Sequence, residues 1–496
     1  MKDVAERSQE QKAYQWLLLG AFGIGCLGDL LFYGKNYGVS YPLFFIGMYA
    51  LFVWQAKLHQ RLSFSRENKY IWLLCVPIGM LSLTFALFSN GYFHLFNFVL
   101  VPMLFVLQTM LFTGRHKAKW HEIMFVGELL EILVYYTPKH TRLPFIMIKG
   151  SVKGRMNQRN YGVLKKIMTG LLISLPILLV VLTLLSQADR VFGHFLNEIP
   201  DMLIDVDSVE GMFRLFVIGL VTLVVFGYMY SLFGKRADTV ELPQPQEQEK
   251  IVWDGIILVT ILTIIDAVYA AFTYIQISYL FSGAKAALPE GLTYAEYAKN
   301  GFNELLTVTV INFIILLATL YLVSRKNRLL YRSVQVLLTL LTVCTSFMLF
   351  SAYYRLSLYE AAYGYTHTRL LAHLFMIFLL ILFAIALWKI WRDSFSLFKY
   401  YALVTLASYV FINYINMDVI IAQNNLERYR ATGNIDVEYL GRLSYDVVPY
   451  LQELKADESL KAAVTYELEN KWAELRGESS WQSFNWSKYR AKQYLP

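Results

Sequence analysis

Asp266 is the residue with the largest chemical consequence. It lies near the middle of the apolar run 251–282, and an acid at that depth of a bilayer is costly unless it has a purpose or a partner. Tyr269, Thr273 and Gln276 follow it at helical spacing, so one face of this helix carries a polar stripe. Such a stripe either lines a path for an ion or substrate, or acts as glue between helices with the acid hydrogen-bonded or protonated. Asn312, in the next apolar run, is its candidate neighbour.

A second set of polar residues gathers at the ends of the apolar runs. Asp29, Tyr33 and Lys35 close the first run. GLTYAEYAKNGFNELL (291–306) supplies Tyr294, Glu296, Tyr297 and Glu304. YYRLSLYEAAYGYTHTRLLAH (353–373) supplies Arg355, Tyr359, Glu360, Tyr363, Arg369 and His373, with Arg369 and His373 four apart on one helix face. The last run closes with Asn413, Asn416 and Asp418. These residues either anchor helices at the interface and tie loops by ion pairs, or line a pocket open to the outside that binds a polar or charged ligand.

Enzyme signatures are missing. No HExxH, P-loop or GxSxG pattern occurs, and no GxGxxG stands at the end of a strand. The eight histidines are scattered without ligand spacing, so neither a metal nor another cofactor is expected. Cys26, Cys75 and Cys344 stand apart inside apolar runs and read as free buried thiols. No catalytic residue is assigned, and no nucleic-acid partner is expected.

Positioning these residues requires membrane-spanning helices. Of 496 residues, 56% are hydrophobic and only 17% charged, and runs of about 20 apolar residues each suffice to cross a bilayer. The spans are placed near 14–34, 38–56, 70–89, 91–112, 167–186, 211–234, 251–282, 304–324, 330–352, 367–388 and 397–416. The expected fold is therefore all-α: a polytopic transmembrane bundle of about eleven spans with a small helical extracytoplasmic tail. Lys and Arg favour cytoplasmic loops. With the N-terminus inside, 28 of the 45 basic residues fall in cytoplasmic segments and seven in or beside the short outer loops. An odd number of spans then puts the tail outside.

The chain divides into a cytoplasmic N-terminus (1–13), spans 1–4 (14–112), a cytoplasmic insertion (113–166), spans 5–11 (167–416) and the tail (417–496). Within the insertion, His121 to Tyr136 suits a helix at the membrane surface. Lys139 to Lys166 holds eight basic and no acidic residues. Lys139, Arg142, Lys149, Lys153, Arg155 and Arg159 are its candidate contacts with anionic lipid, at about 1 kcal/mol per charge. The loop 187–210 is acidic but lacks a calcium-loop pattern. In the tail, short helices are expected over 424–430, stopped by Gly433, and over 435–443 and 446–454. A longer helix over 457–476 turns Leu460, Val464, Leu468, Trp472 and Leu475 to one face, with Asp457 as N-cap and Gly477 as stop.

Five segments carry a family resemblance: LPEGLTYAEYAKNGFNELL (288–306), RLSLYEAAYGYTHTRL (355–370), NIDVEYLGRLSYDVVPYLQEL (434–454), SQADRVFGHFL (186–196) and GDLLFYGKNYGVS (28–40). They resemble a family of bacterial multi-spanning proteins catalogued as domain of unknown function number 4173, related to the 4153 group. The resemblance runs from about residue 10 to residue 455 and implies a protein of the cytoplasmic membrane of a Gram-positive bacterium. It brings no catalytic or binding residues. Three functions stay open. One is a sensor, accessory or assembly protein binding a ligand, lipid or partner protein at its outer rim. The second is a transporter, channel or lipid flippase using Asp266. The third is a transferase of envelope lipids or polymers with Asp29 or Glu296 as general base.

Overall fold

The structure, a computed structural model, describes residues 2–59, 70–146, 206–234, 253–281, 302–392, 394–477 and 480–495, with 170, 174 and 181 singly. It divides into two compact units. Unit 1 comprises Met1–Ala86, Phe98–Ala237 and Ser480–Phe484; unit 2 comprises Leu87–Asn97, Asp238–Ser479 and Asn485–Pro496.

Unit 1 holds α1 (Lys2–Phe32), α2 (Ser40–Leu58), α3 (Cys75–Leu87) up to Ala86, and α4 (Gly91–Thr113) from Phe98 onward. Next come α5 (Ile123–Glu131), one π-helical turn (Ile132–Tyr136), α6 (Thr137–His140) and α7 (Val206–Phe233). Small residues set how closely these helices approach. A Cβ on Gly25 of α1 would lie 2.7 Å from the Ile218 carbonyl oxygen of α7. The π turn stands where Pro138 removes an N–H, and the Thr137 hydroxyl reaches back to the Ile132 carbonyl at 2.8 Å. Tyr41 stacks on Phe85, ring centroids 4.0 Å apart.

In unit 2, α8 (Gly255–Phe281), α9 (Phe302–Leu322), α10 (Arg328–Tyr363), α11 (His367–Trp391) and α12 (Leu397–Tyr414) are the apolar helices. Leu262, Leu316, Leu341, Met348 and Phe383 form part of a common core among the first four. Ile264, Val268, Val343 and Phe350 point outward with more than half their surface exposed. Helices apolar on all faces suit a lipid surround rather than water. α10 starts on the Asn327 side chain, which accepts from the amides of Leu329 and Leu330 at 3.0 and 3.3 Å. It stops at Gly364, whose φ of 86° favours glycine.

Beyond a 55° bend after α12, where Asn416 takes φ 52°, the chain becomes polar. The tail helices are α13 (Met417–Thr432), α14 (Val437–Gly441), α15 (Val448–Leu454), α16 (Lys461–Arg476) and α17 (Trp486–Ala491). Ile421, Val447, Val448, Leu451, Val464 and Leu468 build a second core here, each at most 2% exposed.

Among the described residues, eight helices are long and apolar enough to cross a membrane, or nine if the bent pair α12–α13 is one span. The chain is thus an all-α polytopic membrane protein, and a count of about eleven is not confirmed among the described residues. The expected span 167–186 lies outside the described residues apart from single positions. The span at 38–56 is the helix α2, yet Tyr41, Tyr49, Trp54, Gln55 and Lys57 make it less apolar than those eight. In the tail, α13 is longer than the expected 424–430 but does end at Gly433, with φ 72°. Asp457 does not cap α16; it accepts the Ser459 amide at 2.9 Å, and the helix begins after Leu460. Asp457 shapes the preceding turn instead, since a short acid can bond its own backbone two residues on.

Leu451 is fully buried in the tail core. Leu451→Ala should destabilise the tail by about 2–5 kcal/mol through lost transfer energy and the cavity left behind. Hydrogen exchange over 437–475 should then rise, with α8–α11 unchanged.

Candidate functional site

A polar constellation of unit 2 is centred on Asp418, in the first turn of α13 and 2% exposed. Three segments donate to it. Asn90 caps α4 by accepting the Tyr92 and Phe93 amides at 3.1 and 3.4 Å, and its amide nitrogen donates to Asp418 Oδ2 at 3.1 Å. The Ser444 amide donates to the same oxygen at 3.2 Å. His367 Nε2, at the start of α11, pairs with Asp418 Oδ1. His367 is itself held by its backbone amide, which donates to the Tyr439 hydroxyl at 2.9 Å. A buried carboxylate needs donors of this number to stay in place.

Above Asp418 opens a cleft of about 1070 Å³. Its walls include Tyr92 of α4, Glu438 and Arg442, Tyr445, and Tyr466, Glu467, Lys471 and Glu474 of α16. At Gly441 of α14 the Glu467 side chain of α16 lies where a Cβ would stand. Lys471 is 7% exposed. Its Nζ donates to the Leu443 carbonyl at 2.7 Å and lies 5.0 Å from the Tyr445 ring centroid. Burial pushes its ammonium below the ordinary lysine value, against the opposing pull of Glu474, Asp418 and Glu467. The Tyr445 hydroxyl donates to Glu474 at 2.6 Å. Glu438 pairs with Arg442 one helical turn away.

The residues singled out by sequence fall into separate groups. Glu360 and His373 meet, with Nε2 to Oε2 at 2.8 Å, both buried, and the Tyr353 ring lies 4.2 Å from the histidine ring. Arg369 stacks 4.3 Å over Tyr359 and bonds the Gly364 carbonyl. Arg355 lies half-buried on α10, and Glu304 is exposed in the first turn of α9. Asn413 accepts from Asn97 at 2.8 Å, and Asn97 accepts the Tyr409 hydroxyl at 2.7 Å. In unit 1, Asp29 binds Arg214 at 2.6 Å, and Lys35 donates to the Leu30 carbonyl at 2.7 Å. Tyr294, Glu296 and Tyr297 lie outside the described residues, as do Lys149, Lys153, Arg155 and Arg159. Lys139 lies 5.5 Å over the Tyr135 ring, and Arg142 stands two residues beyond the end of α6.

Tyr269 donates to Asn312 at 2.8 Å, and Asn312 donates to Thr345 at 2.9 Å. Asn312 thus bonds Tyr269, while the Asp266 oxygens have no hydrogen-bond partner among the described residues. Asp266 and Gln276 are both buried.

Sequence reasoning did not find the cleft. One signal was available: Lys471 occupies the apolar stripe Val464, Leu468, Leu475 of α16, and a lysine there must satisfy its charge inside the fold. His367 and Asn90 carry no such signal, because only the fold brings them to Asp418. The described residues contain no group of three or more His, Cys, Asp or Glu side chains able to hold a metal, and their cysteines are free thiols.

Fold and site together define a multi-pass helical membrane protein with a structured polar tail. The family described as "Domain of unknown function (DUF4153)" matches residues 75–454, and the chain belongs to it. The match is thus to the group named above as the related one. It includes His367 and Asp418 and stops before α16. No curated protein and no solved structure matches the chain.

A lysine whose value is lowered by folding binds fewer protons folded than unfolded, so stability rises with pH between the lowered value and the ordinary one near 10.4. Hydrogen exchange of residues 464–475, corrected for the intrinsic rate, should slow relative to neighbouring segments as pH rises through that window. The change should vanish in Lys471→Met.

Proposed function

We propose that the protein is a sensor or accessory protein of a bacterial cytoplasmic membrane that takes an amine-bearing polar ligand in its tail cleft. The observation carrying this reading is the acidic, tyrosine-lined cleft itself. A volume near 1070 Å³ suits a small ligand. Of the charges on its walls, Arg442 neutralises Glu438, while Asp418 and Lys471 are buried and committed to partners. Glu467 and Glu474 are left to set a negative potential, beside the rings of Tyr92, Tyr445 and Tyr466. Tyrosine faces attract cations, as the Lys471 ammonium over Tyr445 already does.

The outward orientation of the tail, the contact of Lys139 and Arg142 with anionic lipid on the inner face, and the finer assignment to the 4173 group belong to the same proposal. The distribution of basic residues supports the orientation. A transferase is less favoured, since Asp29 is engaged by Arg214 in a bidentate contact.

Spermidine is a suitable probe with the purified full-length chain. At about a hundredfold its Kd it should stabilise the protein by about 2.7 kcal/mol, and Glu467→Gln with Glu474→Gln should abolish the shift. No shift in the wild type, or an equal one in the double variant, removes the reading. Orientation is tested separately with Glu458→Cys, whose parent side chain is 83% exposed. In intact cells a membrane-impermeant maleimide should label it; labelling only after permeabilisation would place the tail inside.

A further inference from the structure

Among the described residues, the interior of unit 2 contains one buried carboxylate with neither oxygen hydrogen-bonded. Asp266, on α8, is 2% exposed, and neither carboxylate oxygen has a hydrogen-bond partner among the described residues. One face of the same helix carries Tyr269, Thr273 and Gln276, and the buried amide oxygen of Gln276 also lacks a partner. Three other polar side chains of this interior are bonded to one another. Tyr269, Asn312 and Thr345 link α8, α9 and α10 in a chain of bonds at 2.8 and 2.9 Å, and Thr345 closes onto the Leu341 carbonyl at 2.7 Å. Helix–helix glue in this bundle is thus supplied by the Asn312 chain, and Asp266 takes no part in it.

We propose that Asp266 is a proton-carrying group of the membrane interior, loaded and unloaded along the polar stripe of α8. An acid held in an apolar bundle without a donor is relieved either by a cation or by a proton. A metal ion requires several oxygen ligands at once. Gln276 lies ten residues on, about 15 Å along the helix axis, and Tyr269 is committed to Asn312. The proton is the smaller demand, because it forms one O–H bond on the carboxylate and leaves a neutral acid. The titratable groups facing Asp266 are Tyr269 on its own helix and Cys344 on α10. Among the described residues no basic group stands against it. This inference is independent of the tail cleft, and the two proposals fail separately.

The test uses the full-length chain in lipid vesicles holding a pH-sensitive dye, with an imposed pH gradient. Wild type should pass protons faster than protein-free vesicles, Asp266→Asn should lose that flux by about tenfold or more, and Asp266→Glu should retain part of it. Wild-type flux equal to protein-free vesicles, or Asp266→Asn at the wild-type rate, overturns the proposal. Should Asp266→Asn not fold, Asp266→Glu and the infrared spectrum of the wild type decide. A carboxylic-acid carbonyl band that titrates with pH and shifts in Asp266→Glu supports a protonated Asp266. A wild-type spectrum without such a band contradicts it.

Discussion

A polar group inside a bilayer has no water to turn to, so its neighbours must satisfy it. Most of the arrangement in this protein follows from that constraint. Asn97 finds Asn413 and Tyr409, Asn312 finds Tyr269 and Thr345, and Glu360 finds His373. Each pairing joins helices that apolar contact alone would leave free to slide, because lipid tails are as apolar as the side chains between helices. Where the chain leaves the apolar helices, the same requirement is met more densely. Asp418 collects donors from α4, α11 and the segment after α14, and those bonds fix the floor of the cleft. Asp266 departs from that rule, with neither carboxylate oxygen bonded among the described residues.

Much of the fold was legible in the sequence because a bilayer imposes a strong pattern. Runs such as Gly255–Phe281 and His367–Trp391 have no competing explanation, and their ends were placed within a few residues. The amphipathic stripe of α16 was equally plain, and Val464, Leu468 and Leu475 are buried as it requires. Legibility fell where hydropathy is intermediate. α2 carries enough Tyr, Trp and Gln to fall short of an unambiguous span. The start of α16 was misplaced because Asp457 can cap a turn as well as a helix, and sequence does not separate the two uses.

The sites were legible only in part. Glu360 and His373 were singled out separately, thirteen residues apart, and the fold makes them partners. The cleft went unseen because its floor joins residues as distant as Asn90, His367, Asp418 and Ser444. Side chains from four places converge through the turn at Gly364 and the bend at Asn416, and periodicity within any one segment carries no trace of that. Asn425 shows the cause at small scale. It exchanges two hydrogen bonds of 2.9 Å with the backbone of Tyr365, sixty residues away, and so ties the connection between α10 and α11 to α13. Asp266 was the opposite case, since a lone acid in an apolar run announces itself whatever the fold.

The functional reading depends most on the tail cleft as a place where a ligand sits. An experimental density map of the full-length protein in lipid, prepared with spermidine, tests this most directly. Density extending from Glu467 and Glu474 across the faces of Tyr92 and Tyr466, above an intact Asp418–His367 pair, is the predicted result. A cleft with no ligand density under saturating spermidine, or one filled by side chains of α16 collapsing onto Asp418, would contradict it.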